Sequence, residues 1–298
     1  MEDVIRHILE RIRDAEIRPT PFPHLVISDI FPPDYYALLL RAIPPPDQFA
    51  SAEYPGTGFG TGTRSQRISA GLAYPNLDEL PIFGGVKDFL RGEKFCRALL
   101  EKFAIPEGIP TEKYRYFQND AREFTSVFDL QIDRRGYEIL PHPDVESKIV
   151  TFQFFLVSDA SLKEFGTLFC RTRNGGPANR SSSARVTGKI LDRAARLLGG
   201  KPARLWYWFE RSKLGTEFGF GDSKNWYPWR MFEIESSAPA LPNHFMAFAP
   251  NERSYHAVRM SIPDSSPGRT VLRGFIRSGS GRHNYIRIKD PQATDAVM

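Results

Sequence analysis

The sequence predicts a mainly β protein, a sandwich or jelly roll packed on helices at its N-terminal side. Three observations predict it. The first 110 or so residues carry helical periodicity. The remainder breaks into short Phe-, Val-, Ile- and Thr-rich runs separated by turn residues. Aromatic residues reach 13%, with 23 Phe, which suits β-rich packing or an aromatic-lined pocket.

Each element has a local reason. Val4, Ile5, Ile8, Leu9 and Ile12 recur at three- and four-residue spacing, so the chain opens as an amphipathic helix. Pro19, Pro21 and Pro23 end it, and HLVISDIF reads as a short strand. Pro33-Asp34 opens a second helix, DYYALLLRAI, where the missing proline N–H costs little; Pro44 to Pro46 close it. Residues 50–80, with YPGTGFGTGTRS, read as irregular, exposed structure. A third helix is expected from about Val86 to Phe103, where Phe89, Phe95, Leu99, Leu100 and Phe103 form one stripe.

Strands are then expected at FTSVFDLQID, YEILPHPD, KIVTFQFFLV, TLFCRT, RMFEIES, HFMAFAP, HAVRMSI and RTVLRGFIR. GGPANRSSS (175–183) reads as a mobile loop, and residues 204–229, which hold all four Trp, as a long insertion. The expected organisation is a helix-rich support (1–110) in one structural unit with a β core (111–288), followed by a tail (289–298).

Bulk properties exclude several classes. At 298 residues, 41% hydrophobic and 25% charged, the chain can bury a sizeable core and is not a disordered sequence. The net charge is +5 and the pI about 9.2, but no run of five like charges occurs, so nucleic acid is not indicated as a partner. A modest positive field also suits an enzyme with a dicarboxylate co-substrate. Cys96 and Cys170 stand far apart in no redox or metal spacing, which fits a reducing compartment. MEDVIRHILERIRDAEI lacks the unbroken apolar stretch of a signal peptide, and nothing approaches the ~18 apolar residues of a membrane span. The expectation is a soluble cytoplasmic protein with no membrane partner; composition leaves its oligomeric state open.

The chemistry concentrates in two places. His142 and Asp144 stand two apart at the end of a strand-like run, so both side chains point to one side and can reach one metal ion. His256, in SYHAV, supplies a second imidazole more than a hundred residues later. Two His and one carboxylate on one face of an octahedron are the donor set of non-haem Fe(II) oxygenases. Three positions then stay open, two for a bidentate 2-oxo acid and one for O2. Such a co-substrate needs a cation for its far carboxylate. Arg269, thirteen residues beyond His256 in GRTVLRGFIR, is the first candidate, and Arg273, on the same strand face, is the reserve. His7, His24, His244 and His283 receive no role.

These residues resemble a known family. GYEILPHPDVESKIVTFQFFLVSD…FGTLFC and PNHFMAFAPNERSYHAVRMSI…GRTVLRGFIR look like the two halves of the core of Fe(II)/2-oxoglutarate-dependent oxygenases, of the bacterial prolyl-4-hydroxylase-like kind, over about residues 126–277. The resemblance implies a double-stranded β-helix, or jelly roll, with Fe(II), 2-oxoglutarate and O2 as reactants and succinate and CO2 as products. It implies His142, Asp144 and His256 as iron ligands and Arg269 as the 2-oxoglutarate anchor. Two departures stand out. A Tyr that often helps hold 2-oxoglutarate is replaced by Phe155, which leaves Gln153 on the same face as a substitute; a Gly-Gly-Glu-type strand is replaced by Gly166-Thr167. Asp144 also fills the position that halogenases leave small for chloride. The expected activity is oxidation, foremost hydroxylation, of a small molecule. The alternatives are a hydroxylase of protein side chains and a jelly-roll binding protein without activity. The Trp-rich 204–229 segment reads either as a lid or as packing for the insertion.

Overall fold

The computed structural model describes residues 1–45, 50–51, 65–69, 81–104, 124–144, 148–173, 227, 229–251, 253–262, 266 and 268–278. The helices are α1 (Glu2–Asp14), α2 (Pro33–Arg41), α3 (Pro81–Arg91) and α4 (Glu93–Ala104). The strands are β1 (His24–Ile27), β2 (Ala50–Ser51), β3 (Ser65–Ser69), β4 (Phe124–Asp133), β5 (Glu138–His142), β6 (Val150–Phe155), β7 (Thr167–Thr172), β8 (Phe232–Ala238), β9 (His244–Phe248), β10 (His256–Arg259) and β11 (Arg269–Ser278).

The strands form two sheets. The larger is ordered β1-β9-β6-β11-β4-β3-β2 and the smaller β5-β10-β7-β8, with every pair antiparallel. From β4 onward the chain winds between them: β4, β6, β9 and β11 enter the larger sheet, and β5, β7, β8 and β10 the smaller. That winding is a double-stranded β-helix, the jelly roll expected from the sequence.

Strand alternation divides the core into layers. On β6, Phe152 and Phe154 point to the outer face of the larger sheet, where they join Ile8, Ile12, Leu39, Phe95 and Leu99 of the helices. Phe155 points inward, with Val271, Phe169, Phe248 and Val258, to fill the space between the sheets. The helices therefore cover one apolar face, and the barrel interior holds the alternate set. On that inward set lie Thr151, Gln153, Arg269, Val271 and Arg273, paired across β6 and β11 as Val271↔Phe155, Arg273↔Gln153 and Phe275↔Thr151. Asn243 (φ 57°) fastens the entry of β9 to the N-terminal part by bonding both the N–H and the carbonyl of Phe31, at 3.0 and 2.8 Å.

Two expectations need correction. The single helix expected over Val86–Phe103 is two, α3 and α4, separated at Gly92, where an added Cβ would sit 3.1 Å from the Phe89 carbonyl oxygen. The stretch expected to be irregular contains β2 and β3, because the polar run SQRIS pairs its backbone along β4 from Ser65↔Asp133 to Ser69↔Asp129. Backbone pairing to an open sheet edge does not need the apolar alternation by which strands are read. The loop at 175–183 and the tail with His283 lie outside the described residues, as does most of the 204–229 segment. Of that segment, Tyr227 and Trp229 pack with Phe232, Tyr255 and Cys170 as a cluster apart from the filling between the sheets. Cys96 and Cys170 are both buried as free thiols. Among the described residues no helix is long and apolar enough to cross a membrane.

Candidate metal centre

The two sequence motifs meet because β5 and β10 are neighbours in the smaller sheet. His142, the last residue of β5, is the cross-strand partner of His256, the first of β10. Their ring centroids are 4.3 Å apart. The pairing is irregular just beyond His256, and such bulges re-aim side chains beside functional sites. Asp144 follows β5 by two residues, and its Oδ2 lies 3.7 Å from His256 Nε2. One donor atom from each of the three residues lies within 4.8 Å of the others; they are the metal-competent cluster found among the described residues.

The imidazoles are oriented by backbone. His142 Nδ1 lies 2.8 Å from the Leu140 carbonyl and His256 Nδ1 lies 3.0 Å from the Ser254 carbonyl. A carbonyl only accepts, so each Nδ1 carries the proton and each Nε2 is the nitrogen with the lone pair. This is how metal-ligating histidines are held. Burial, reinforced by the charge of His256, pushes His142 down to about 3. Burial lowers His256 as well, against the pull of Asp144. Both rings are therefore neutral at physiological pH, the form that binds a metal.

Asp144 is held as an anion. Burial alone would push its carboxyl up, but Lys148, His256 and His142 together hold it well below the usual carboxylate range. Lys148 Nζ donates to Oδ1 and Thr151 Oγ1 to Oδ2, each at 2.5 Å. Neither partner was singled out from the sequence. The i,i+4 spacing of Lys148 and the inward register of Thr151 on β6 are the signals that point to them.

The two expected 2-oxoglutarate residues stand deeper in the barrel. Arg269 is 1% exposed, and its guanidinium is engaged: Nε and Nη2 donate to Asp133 Oδ2, and Nη1 donates to the Phe165 carbonyl at 2.7 Å. Gln153 is 2% exposed, and its Nε2 has no hydrogen-bond partner among the described residues. Across the strand pair from Gln153 stands Arg273, whose Nη1 donates to the Tyr137 hydroxyl at 3.3 Å and whose charge contributes to keeping His256 neutral. Tyr137, buried on the inward side just ahead of β5, is a residue the sequence reading missed. Its two-residue step from Ile139, in the same inward layer, was the available signal.

The other described histidines stand apart from the cluster. His7 bonds the Asp29 carbonyl at the surface, His244 bonds the Pro242 carbonyl, and His24 bonds the Phe22 carbonyl while its ring packs against Phe169.

Fold and site together define the class: a double-stranded β-helix carrying a two-histidine, one-carboxylate cluster at one end of its smaller sheet, with Asp144 and His256 buried and His142 half-buried. Among known proteins, no family model matches the chain and no curated protein matches it. Solved structures that it is similar to include the non-haem α-ketoglutarate-dependent epimerase SnoN from nogalamycin biosynthesis, at 11% identity and a TM-score of 0.42, over 93% of this chain and 84% of that one. HygX from Streptomyces hygroscopicus, solved with nickel, 2-oxoglutarate and hygromycin B, aligns at 12% identity and a TM-score of 0.42 over 86% and 82%. The Fe(II)/α-ketoglutarate-dependent dioxygenase TqaL aligns at 10% identity and a TM-score of 0.29 over 96% and 79%. These likenesses are loose, and the chemistry of the site rests on strand order and side-chain geometry instead.

Proposed function

We propose that the protein is an Fe(II)- and 2-oxoglutarate-dependent oxygenase that hydroxylates an unactivated C–H bond of a small molecule. The observation that carries this reading is the cluster itself: two neutral imidazoles and one carboxylate, converging, half-buried to buried, and already oriented by Leu140, Ser254, Lys148 and Thr151. That donor set fits Fe(II) with three open positions. His142, Asp144 and His256 would hold the ion, which would supply activation of O2 coupled to oxidation of the 2-oxo acid and of the substrate.

The chain's own task is to position 2-oxoglutarate and exclude water. The Thr151 level of the barrel marks the carboxylate of the cluster, since Thr151 bonds Asp144. Arg273 and Gln153 sit two residues deeper along β11 and β6, about 7 Å at ~3.4 Å per residue. Arg269 sits six residues from Phe275, the partner of Thr151, which is about 20 Å along the same strand. A five-carbon diacid reaches the first level and falls short of the second. The sequence assigned the far carboxylate to Arg269; the register favours Arg273, with Gln153 and Tyr137 as donors beside it. The orphaned Gln153 Nε2 is the kind of buried donor that an acceptor-rich ligand satisfies. Asp133 makes Arg269 a poor anchor for a second anion, because binding there would set two carboxylates against one guanidinium.

The test is succinate formation from 2-oxoglutarate by anaerobically Fe(II)-loaded protein on admission of air, alongside metal titration of the wild type and Asp144→Ala. Metal-dependent succinate and weakened metal binding in Asp144→Ala are expected. No succinate, together with unchanged metal binding in the variant, overturns the reading.

A further inference from the structure

Lys148 places a fixed positive charge where a metal cation is to bind. It is an unusual neighbour for a metal ligand. Its Nζ lies 2.5 Å from Asp144 Oδ1, the pair is shielded with side-chain exposures of 24% and 2%, and the ammonium also sits 5.1 Å from the centre of the inward-facing Phe275 ring. Thr151 holds the other oxygen, Oδ2, on the side of His256. The carboxylate is thus gripped at both ends, with Oδ2 held 3.7 Å from His256 Nε2.

We propose that Lys148 is a positioning residue of the metal centre, which confines Asp144 to one-oxygen binding and holds metal affinity down. The inference rests on the metal-site reading above. Its chemistry comes from counting. An octahedral ion with two imidazoles and a one-oxygen carboxylate keeps three positions open. A carboxylate that swung to bind through both oxygens would take a fourth, and a bidentate 2-oxo acid would then fill the site. With Oδ1 occupied by an ammonium, that swing is blocked. The same ammonium, one carboxylate away from the bound cation in a low-dielectric interior, repels it. In the metal-free protein Lys148 serves as the counter-ion that keeps a buried carboxylate from standing unpaired.

Lys148→Met should change three properties. Metal binding tightens, by at least tenfold in Kd, because repulsion is removed and the second oxygen becomes available. The metal-free protein melts at a lower temperature, so the rise in melting temperature on adding metal grows. With Co(II) as a spectroscopic probe, the visible d–d bands move toward those of a higher coordination number. Lys148→Arg keeps the charge and holds metal affinity near the wild-type value; Lys148→Gln, neutral and hydrogen-bonding, tightens it and serves if the methionine variant does not fold.

The experiment is Co(II) titration of wild type, Lys148→Met, Lys148→Gln and Lys148→Arg by absorbance, with thermal melts of the metal-free and loaded forms. Unchanged or weaker Co(II) binding in the neutral variants, with a wild-type site that binds normally, overturns the role of Lys148 and leaves the metal site standing. A wild-type protein that takes up no Co(II) or Fe(II) overturns the metal-site reading, and this inference falls with it.

Discussion

The buried pair Arg269–Asp133 offers the sharpest perturbation. Its side chains are 1% and 0% exposed, and two guanidinium nitrogens share Asp133 Oδ2. Gln131 Nε2 also donates to Asp133, to Oδ1. Asp133→Ala strands a guanidinium in the barrel with, among the described residues, only the Phe165 carbonyl to bond. Breaking a buried pair from one side costs about 3–5 kcal/mol. At ~2 °C per kcal/mol for a chain of this size, the melting temperature falls by about 6–10 °C. Replacing both partners, as Asp133→Leu with Arg269→Met, removes two buried charges together and recovers most of that loss. The assay is a circular-dichroism melt of the two single variants and the double variant, followed by 2-oxoglutarate titration of the metal-loaded double variant. If Arg269 is a strut and Arg273 the anchor, the double variant binds 2-oxoglutarate as the wild type does. Arg273→Met then loses about 30-fold or more, the cost of leaving one side of a charged contact unmet. A stable double variant that fails to bind 2-oxoglutarate, beside an Arg273→Met variant that binds it, would refute the register reasoning and return the role to Arg269.

Gly166→Ala should lower stability by about 1–3 kcal/mol or more, since a Cβ there would lie 1.8 Å from the Ala238 carbonyl oxygen and the β7–β8 pair has to separate to admit it; an unchanged melting temperature would contradict the close approach. Metal-free protein should lose stability as the pH falls below 6.5. His24, His142 and His256 are all held below that value in the fold, foremost by burial, so the unfolded chain takes up protons that the folded chain refuses. Their contribution is fully present above pH 6.5 and is lost progressively toward the folded values, which for His142 is about 3. Each unit of pH across that window costs about 1.4 kcal/mol per histidine held neutral. Asp144, depressed from 3.8, adds a loss of the same sign at lower pH. Urea melts of the metal-free protein from pH 7 to 5 check this, and a stability that rises on acidification would contradict it.

Much of the site was legible because it is local. His142 and Asp144 share a face by the two-residue period of an extended chain, and both carry the orientation that period requires. His256 was legible from its strand context, and the two histidines meet because two separately readable strands pair. The helix break at Gly92 and the strand at Ser65–Ser69 were missed for opposite reasons. One apolar stripe runs through two helices, and one polar run becomes a strand through backbone bonds alone.

The sequence by itself determined most of the segments that become strands and helices, with the break at Gly92 and the strands β2 and β3 as exceptions, and which residue types could bind a metal. Both depend on periodicity and on side-chain chemistry within a few residues. Only the tertiary structure decided which charge answers which. Arg269 faces Asp133, 136 residues away, because β11 and β4 pair in that register, and the pairing of β11 with β6 on its other side sets Arg273 opposite Gln153. A slip of one residue would have turned both arginines away from the barrel interior. Asp144 gains Lys148 from four residues further along the chain and Thr151 from the neighbouring sheet. Partner choice among buried charges is a property of the closed barrel, where two sheets bring distant residues into one dry interior and each charge there must find its counter-charge.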